Sequence, residues 1–374
     1  MMVRPAFMLC AVTGAPAMRS PIHQAPDYFC VFRRRLLFNR RIFGREEGNR
    51  SGMEQQAAQL FEIDGNPRPS KSHHGKHAMR DGTMIRYARF EATGRPLKGT
   101  IVLIQGRNEC IEKYFETIRD LAARGFGVIT YDLRGQGGSD RLIADPQRGY
   151  VESFSQYVDD LEQIFEEIVL PDCRPPYYIV AHSTGGLVAL LSAPAMINRV
   201  RRMMLTAPLL RFARTSFSMA RLRRVTGLLY FLGQGRRYFG SGPRPPEPPP
   251  FATNTLTTDR TRYLRNQAIY RAHPELALGG PTVAWIRAVC RAVDRVTDPD
   301  FMARIHIPTL FVGAGADEVV STSAIEEYAQ MLRSGSLLTV DGARHELLQE
   351  ADIYREQVLA AFDAFIPGSD EAAA

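Results

Sequence analysis

Cysteine is scarce in this chain. Five residues in 374, Cys10, Cys30, Cys110, Cys173 and Cys290, are odd in number and far apart. No C-x-x-C pair or Cys/His cluster occurs, which argues against zinc-finger spacing and a disulfide framework and favours a reducing, cytoplasmic setting. No run approaches the ~20 apolar residues that a bilayer-spanning helix needs. No internal repeat is visible either. What remains is 45% hydrophobic and 23% charged residues, the composition of an ordinary globular protein. The length suits one large α/β domain or two smaller ones.

Acidic residues are thin near the start. Residues 1–52 hold nine arginines against Asp27, Glu46 and Glu47, which accounts for most of the net charge of +7. A basic tail with a near-neutral remainder argues against a nucleic-acid-binding face. The tail opens M-M-V-R-P-A-F-M-L-C, a loose likeness to a secretory leader. It continues F-R-R-R-L-L-F-N-R-R-I-F-G-R, Arg-rich and acid-poor, a composition suited to the surface of an anionic membrane. An upstream extension, with Met53 as the true start, is the plain alternative. Residues 1–54 are therefore kept apart from the fold.

Residues 53–78 are polar, and S-K-S-H-H-G-K-H shows neither a helical nor a strand period, so order is expected from about Arg80. Asp81-Gly82 between alternating residues signals a hairpin. Apolar runs follow at I-V-L-I (101–104), G-V-I-T-Y-D (127–132), Y-Y-I-V-A (177–181) and R-M-M-L-T-A-P (202–208). Two more come late, T-L-F-V-G-A-G (309–315) and S-L-L-T-V-D-G (336–342). Helical patterns near 112–124 and 153–169 lie between them. Apolar strands alternating with helices predict an α/β fold with a mostly parallel sheet covered on both faces. The alternation fails from Pro208 to about Pro299, where basic helical stretches and P-R-P-P-E-P-P-P (243–250) occur. An inserted helical cap over 209–299 is expected, dividing a core of 55–208 and 300–374.

In such a sheet, ligands bind beyond the carboxyl ends of the strands. Ser183 stands there, in A-H-S-T-G between the strand 177–181 and a helix beginning T-G-G-L-V-A-L-L. That is the strand–turn–helix setting of the G-x-S-x-G nucleophile elbow. Ala181 and Gly185 supply the small residues two before and two after. A serine that merely caps the helix fits the pentapeptide equally well, so partners must decide. A serine hydroxyl needs a base, and the base an orienting carboxylate, here in the chain order Ser, acid, His. His345, in V-D-G-A-R-H-E-L-L, follows a strand on the correct side. His306 precedes its strand, where packing explains it, and His273 lies in the insertion. His182 adjoins the serine but points away and buttresses the elbow. Asp317, directly after T-L-F-V-G-A-G-A, is chosen over its neighbour Glu318.

The charge that develops on an acyl carbonyl oxygen needs donors. The backbone N–H of Thr184 is one, and Gly106 in Q-G-R-N-E allows a close approach that assigns the second to Arg107. The Arg107 side chain either meets an anionic substrate or pairs with Glu109 or Glu112. L-R-G-Q-G-G-S-D lacks the spacing of a phosphate loop and reads as a tight turn beside the site.

Five stretches together carry a family resemblance: Q-G-R-N-E-C-I-E-K-Y, Y-D-L-R-G-Q-G-G-S, Y-I-V-A-H-S-T-G-G, V-G-A-G-A-D-E-V-V and G-A-R-H-E-L-L-Q-E. Over about residues 80–365 the chain resembles α/β-hydrolases of the bacterial lysophospholipase and monoacylglycerol lipase group, also classed as serine aminopeptidase-like. The resemblance implies Ser183, Asp317 and His345 as a triad, with the Arg107 and Thr184 amides as the oxyanion hole. It departs where Gln105-Gly106 replaces the His-Gly of many relatives. It further implies a serine ester hydrolase for a lipid ester, requiring no cofactor or metal. Peripheral membrane contact would run through the cap or the basic tail, and Arg211, Arg214, Arg221, Arg223 and Arg224 would approach lipid headgroups. A serine peptidase and a non-catalytic membrane-binding scaffold are the alternatives.

Overall fold

The computed structural model describes residues 58–366 apart from positions 214, 216 and 246. The chain divides into a unit ending at Glu47 and a second from Gly48 onwards, and every described residue belongs to the second. The expectations for the basic tail and for Arg214 lie outside the described residues.

The apolar runs become strands by withdrawing most of their surface from water, although the edge strand formed by the last run leaves Ser336 and Leu337 exposed. In β3 (Gly99–Ile104) every residue is buried, as in β5 (Tyr177–His182) and β7 (Thr309–Ala314). With β4 (Phe126–Tyr131), β6 (Val200–Thr206) and β8 (Gly335–Val340) they form parallel pairs. Among the described residues the sheet has eight strands, in the order β1-β2-β4-β3-β5-β6-β7-β8.

The first two, β1 (Ser72–Ala78) and β2 (Met84–Phe90), form the hairpin signalled by Asp81-Gly82 and run antiparallel. β1 corrects the expectation that order begins near Arg80. S-H-H-G-K-H-A shows no pattern because it is an edge strand that is only half covered. It is held by backbone pairing with β2, which needs no apolar face, and polar residues suit an exposed edge.

Helices cover the sheet. The expected helix at 112–124 is a tight turn (Ile111–Tyr114) leading into α1 (Phe115–Ala123). That at 153–169 is α2 (Phe154–Ile164), widening into a π turn over Phe165–Val169. α3 (Thr184–Met196) follows β5 directly. Between β6 and β7 lie α4 (Met219–Leu229), α5 (Arg260–Ala272) and α6 (Val283–Val296). α7 (Thr322–Met331) and α8 (Asp352–Phe365) complete the layers. α6 packs against α2, α3 and α4, and its Trp285, Val289 and Val296 join the principal core. One helix of the inserted segment therefore belongs to the layer that covers the sheet.

Candidate active site

The parallel register aligns the strand ends. Ile104 of β3 pairs with Ala181 of β5, Ala181 with Leu205 of β6, Thr206 with Val312 of β7, and Ala314 with Val340 of β8. Gly106, Ser183, Asp317 and His345 all lie in the loops just past these ends. One rim of the sheet collects them.

Ser183 sits between β5 and α3 with φ 52° and ψ −113°, a left-handed backbone that costs a non-glycine residue on the order of 1–3 kcal/mol. Neighbours hold it there. Its N–H donates to Thr206 O at 3.0 Å, and its carbonyl accepts from Leu209 N at 3.0 Å. A Cβ at Gly185 would stand 2.5 Å from Gln105 O and 2.6 Å from Ile104 O, so the small residue expected two past the serine is required by backbone contact. The serine side chain makes no cap bond to α3. Instead its Oγ lies 3.1 Å from His345 Nε2.

His345 Nδ1 is 2.7 Å from Asp317 Oδ2. The other oxygen, Oδ1, accepts from Val319 N at 2.7 Å and Val320 N at 2.9 Å. Burial alone would raise the Asp317 carboxyl. The hydrogen bond and charge of His345, with those two backbone donors, outweigh it and hold the carboxyl below its ordinary range. An ionised carboxylate on Nδ1 fixes the tautomer that leaves Nε2 free to accept a proton. The other sequence candidates stand elsewhere: His273 stacks on Phe61 at 4.0 Å, and His306 is exposed just before β7.

His182 packs its ring 4.7 Å from that of His345, with Nδ1 on Thr206 O and Oγ1 at 3.1 and 3.2 Å. Burial lowers it, Glu109 opposes and His345 adds to the lowering, giving about 4 against an ordinary 6.5. The folded chain therefore holds it neutral. Between about pH 4 and 6.5 the unfolded chain binds a proton that the folded chain refuses. Stability is full above that window and lost as pH falls through it, by roughly 3 kcal/mol. We expect the melting temperature to fall from pH 6.5 to 4 and His182→Gln to flatten that slope; parallel slopes would refute the assignment.

The loop after β3 is clamped by residues that sequence reasoning did not single out for this purpose. Glu109 Oε2 accepts the N–H of Gly106 and the hydroxyl of Tyr114, while Oε1 takes Lys113 Nζ. Lys113 also bonds Glu346, beside His345. Burial would raise the Glu109 carboxyl, but the charges of Lys113 and His182 and its hydrogen bonds carry it down to about 2. Gln136, from the glycine-rich turn, donates to Gly106 O at 2.8 Å. In a trans peptide N–H and C=O point oppositely, so this bond turns the Arg107 N–H away from Gln136. Neither that N–H nor that of Thr184 meets a protein acceptor among the described residues. Spacing within Q-G-R-N-E puts Glu109 three residues past Gly106, the one signal that would have marked it. Gln105 turns its side chain toward β4 and the loop after it, its Nε2 3.3 Å from Thr130 Oγ1 and Asp132 Oδ1.

One expectation fails here. Arg107 pairs with neither Glu109 nor Glu112, because Lys113 holds the first and Arg86 holds the second in a bidentate pair at 2.8 Å.

A mostly parallel sheet carrying a serine, a histidine and an aspartate on the loops past its strand ends defines an α/β-hydrolase. The family described as "Serine aminopeptidase, S33" matches residues 95–352, and the chain belongs to it. Lysophospholipase L2 of Escherichia coli K12 is 33% identical over 300 residues, covering 76% of this chain and 84% of that protein. The probable lysophospholipase L2 of Haemophilus influenzae is 30% identical over 267 residues, covering 71% and 83%. Among solved structures, a soluble variant of monoglyceride lipase from Saccharomyces cerevisiae, in complex with a substrate analog, aligns with TM-score 0.62 at 17% identity. It covers 78% of this chain and 94% of that one, a likeness of fold.

Proposed function

We propose that the protein is a serine carboxylic-ester hydrolase acting on single-chain glycerolipids, lysophospholipid or monoacylglycerol. The observation that carries this is the unbroken hydrogen-bonded run Ser183–His345–Asp317, and the relatives named lysophospholipase support the substrate class. Ser183 Oγ attacks the ester carbonyl as His345 Nε2 takes its proton. The Arg107 and Thr184 N–H groups receive the oxyanion. The alcohol leaves with a proton from His345, and water, deprotonated by the same imidazole, releases the fatty acid.

The covering segment offers a membrane contact. Phe217, Val225, Leu228, Phe231 and Leu232 are exposed, Phe231 to 85%, a cluster that water alone does not favour. Of the arginines expected to reach headgroups, Arg211 is tied to Ser321, Ser323 and Glu327, and Arg223 to Asp294. That leaves Arg221 and Arg224, both exposed on α4, to flank the apolar cluster.

The test is a panel of lysophospholipid, monoacylglycerol and short p-nitrophenyl esters beside aminoacyl arylamides. Lipid esters should turn over fastest; faster arylamide cleavage would establish the peptidase instead. In the same assay Phe231→Ser should lower the rate on vesicle-borne lipid relative to a dissolved short ester, and an unchanged ratio would remove the membrane contact.

A further inference from the structure

Among the described residues the fully buried cations are answered by carboxylates. Arg86 holds Glu112 and Asp132, Lys113 holds Glu109 and Glu346, Arg134 holds Asp160, and Arg355 holds Asp120. Arg107 differs. Among the described residues its guanidinium gives one hydrogen bond, from Nη2 to the carbonyl of Gly279, and lies 5.3 Å over the ring of Trp285. Its Nε is buried without a partner. Burial pushes its pKa down to about 10, which still leaves it charged at neutral pH. A charge whose inner atoms are buried and that has no counter-ion is costly even where its residue is only half-buried, and a site that carries that cost is ready for an anion.

The slot is built around this side chain. A Cβ at Gly149 would stand 2.5 Å from Nη2 and 3.1 Å from Cζ, so glycine there gives the guanidinium its room. The slot is also not sealed. Arg107 and Asn108 are half-buried, whereas Gly106 and Glu109, which bracket them, are buried.

Position supplies the rest. The Arg107 N–H belongs to the peptide aimed away from Gln136, and its side chain starts from that same residue. In a lysophospholipid the glycerol joining the ester carbonyl carbon to phosphorus spans as many bonds as run from the Arg107 backbone nitrogen to its guanidinium carbon. Resting on the ester-hydrolase reading above, we propose that the Arg107 guanidinium binds the phosphodiester of a lysophospholipid headgroup and selects that substrate over an uncharged monoacylglycerol. A planar fork of donors is the side chain that phosphate recognition favours.

The test compares kcat/KM for 1-acyl lysophosphatidylethanolamine and for 1-monoacylglycerol of the same chain length, in the full chain and in Arg107→Met and Arg107→Lys. The lysophospholipid-to-monoacylglycerol ratio should fall by about 10- to 100-fold in Arg107→Met, mostly through KM, and recover in part in Arg107→Lys. A ratio unchanged within threefold overturns the proposal, and so does an equal loss on both lipids. A second measurement needs no variant. Glycerophosphoethanolamine should inhibit hydrolysis of a dissolved p-nitrophenyl ester where glycerol does not, and equal effects of the two overturn the assignment. Inhibition by inorganic phosphate as strong as by glycerophosphoethanolamine would assign the slot to a free anion instead. Failure of the ester reading shows differently, as a wild type that leaves both lipids intact while cleaving arylamides.

Discussion

Replacing Ser183 by alanine is expected to lower kcat on lipid esters by about 10⁵- to 10⁶-fold and to abolish covalent labelling by a fluorophosphonate probe. The substitution is selective because the hydroxyl contributes nothing to the turn except its contact with His345. The backbone bonds to Thr206 and Leu209 that hold the elbow remain. With the nucleophile gone, the proposed oxyanion donors, the amides of Arg107 and Thr184, remain, so residual catalysis of roughly 10³- to 10⁴-fold over water should persist. Labelling that survives in Ser183→Ala would place the nucleophile elsewhere. A folded wild type that takes no label would favour the non-catalytic scaffold.

Asp317→Asn should cost about 10⁴-fold in kcat with little change in melting temperature. Asparagine keeps an oxygen for Val319 N and Val320 N, so the loop after β7 retains its shape. The other position changes from acceptor to donor. An amide facing His345 Nδ1 forces the imidazole proton onto Nε2, the nitrogen that must receive the serine proton. Activity should recover in part at high pH, where a more ionised serine depends less on the base. A loss under tenfold would mean that Asp317 only shapes the loop.

The sequence made the strands legible wherever both faces are buried, as in I-V-L-I and Y-Y-I-V-A, because such runs have no other soluble fate. It hid β1, whose stability resides in backbone pairing with β2 and leaves its side chains free to be polar. At the site, Ser183, Asp317 and His345 could be read because proton transfer demands those side chains at strand ends in a set order. Asp317 rather than Glu318 meets the imidazole, as the position directly after the strand suggested. Glu109, Gln136 and Lys113 stayed hidden in their roles. They act on the Gly106–Arg107 peptide and on one another across the fold, and no local spacing encodes a contact such as that between Lys113 and Glu346. The same limit explains Arg107, whose nearest carboxylates in sequence are each taken by another cation.

α6 touches α3, which begins at the residue after Ser183, and it also touches α4, whose C-terminal end carries the exposed Leu228 and leads to the exposed Phe231 and Leu232. Packing against α6 therefore links these two helices. On the membrane contact proposed above, a surface that held the outer end would also orient the hydroxyl at the inner one, and substrates lying in that surface would approach it from one side.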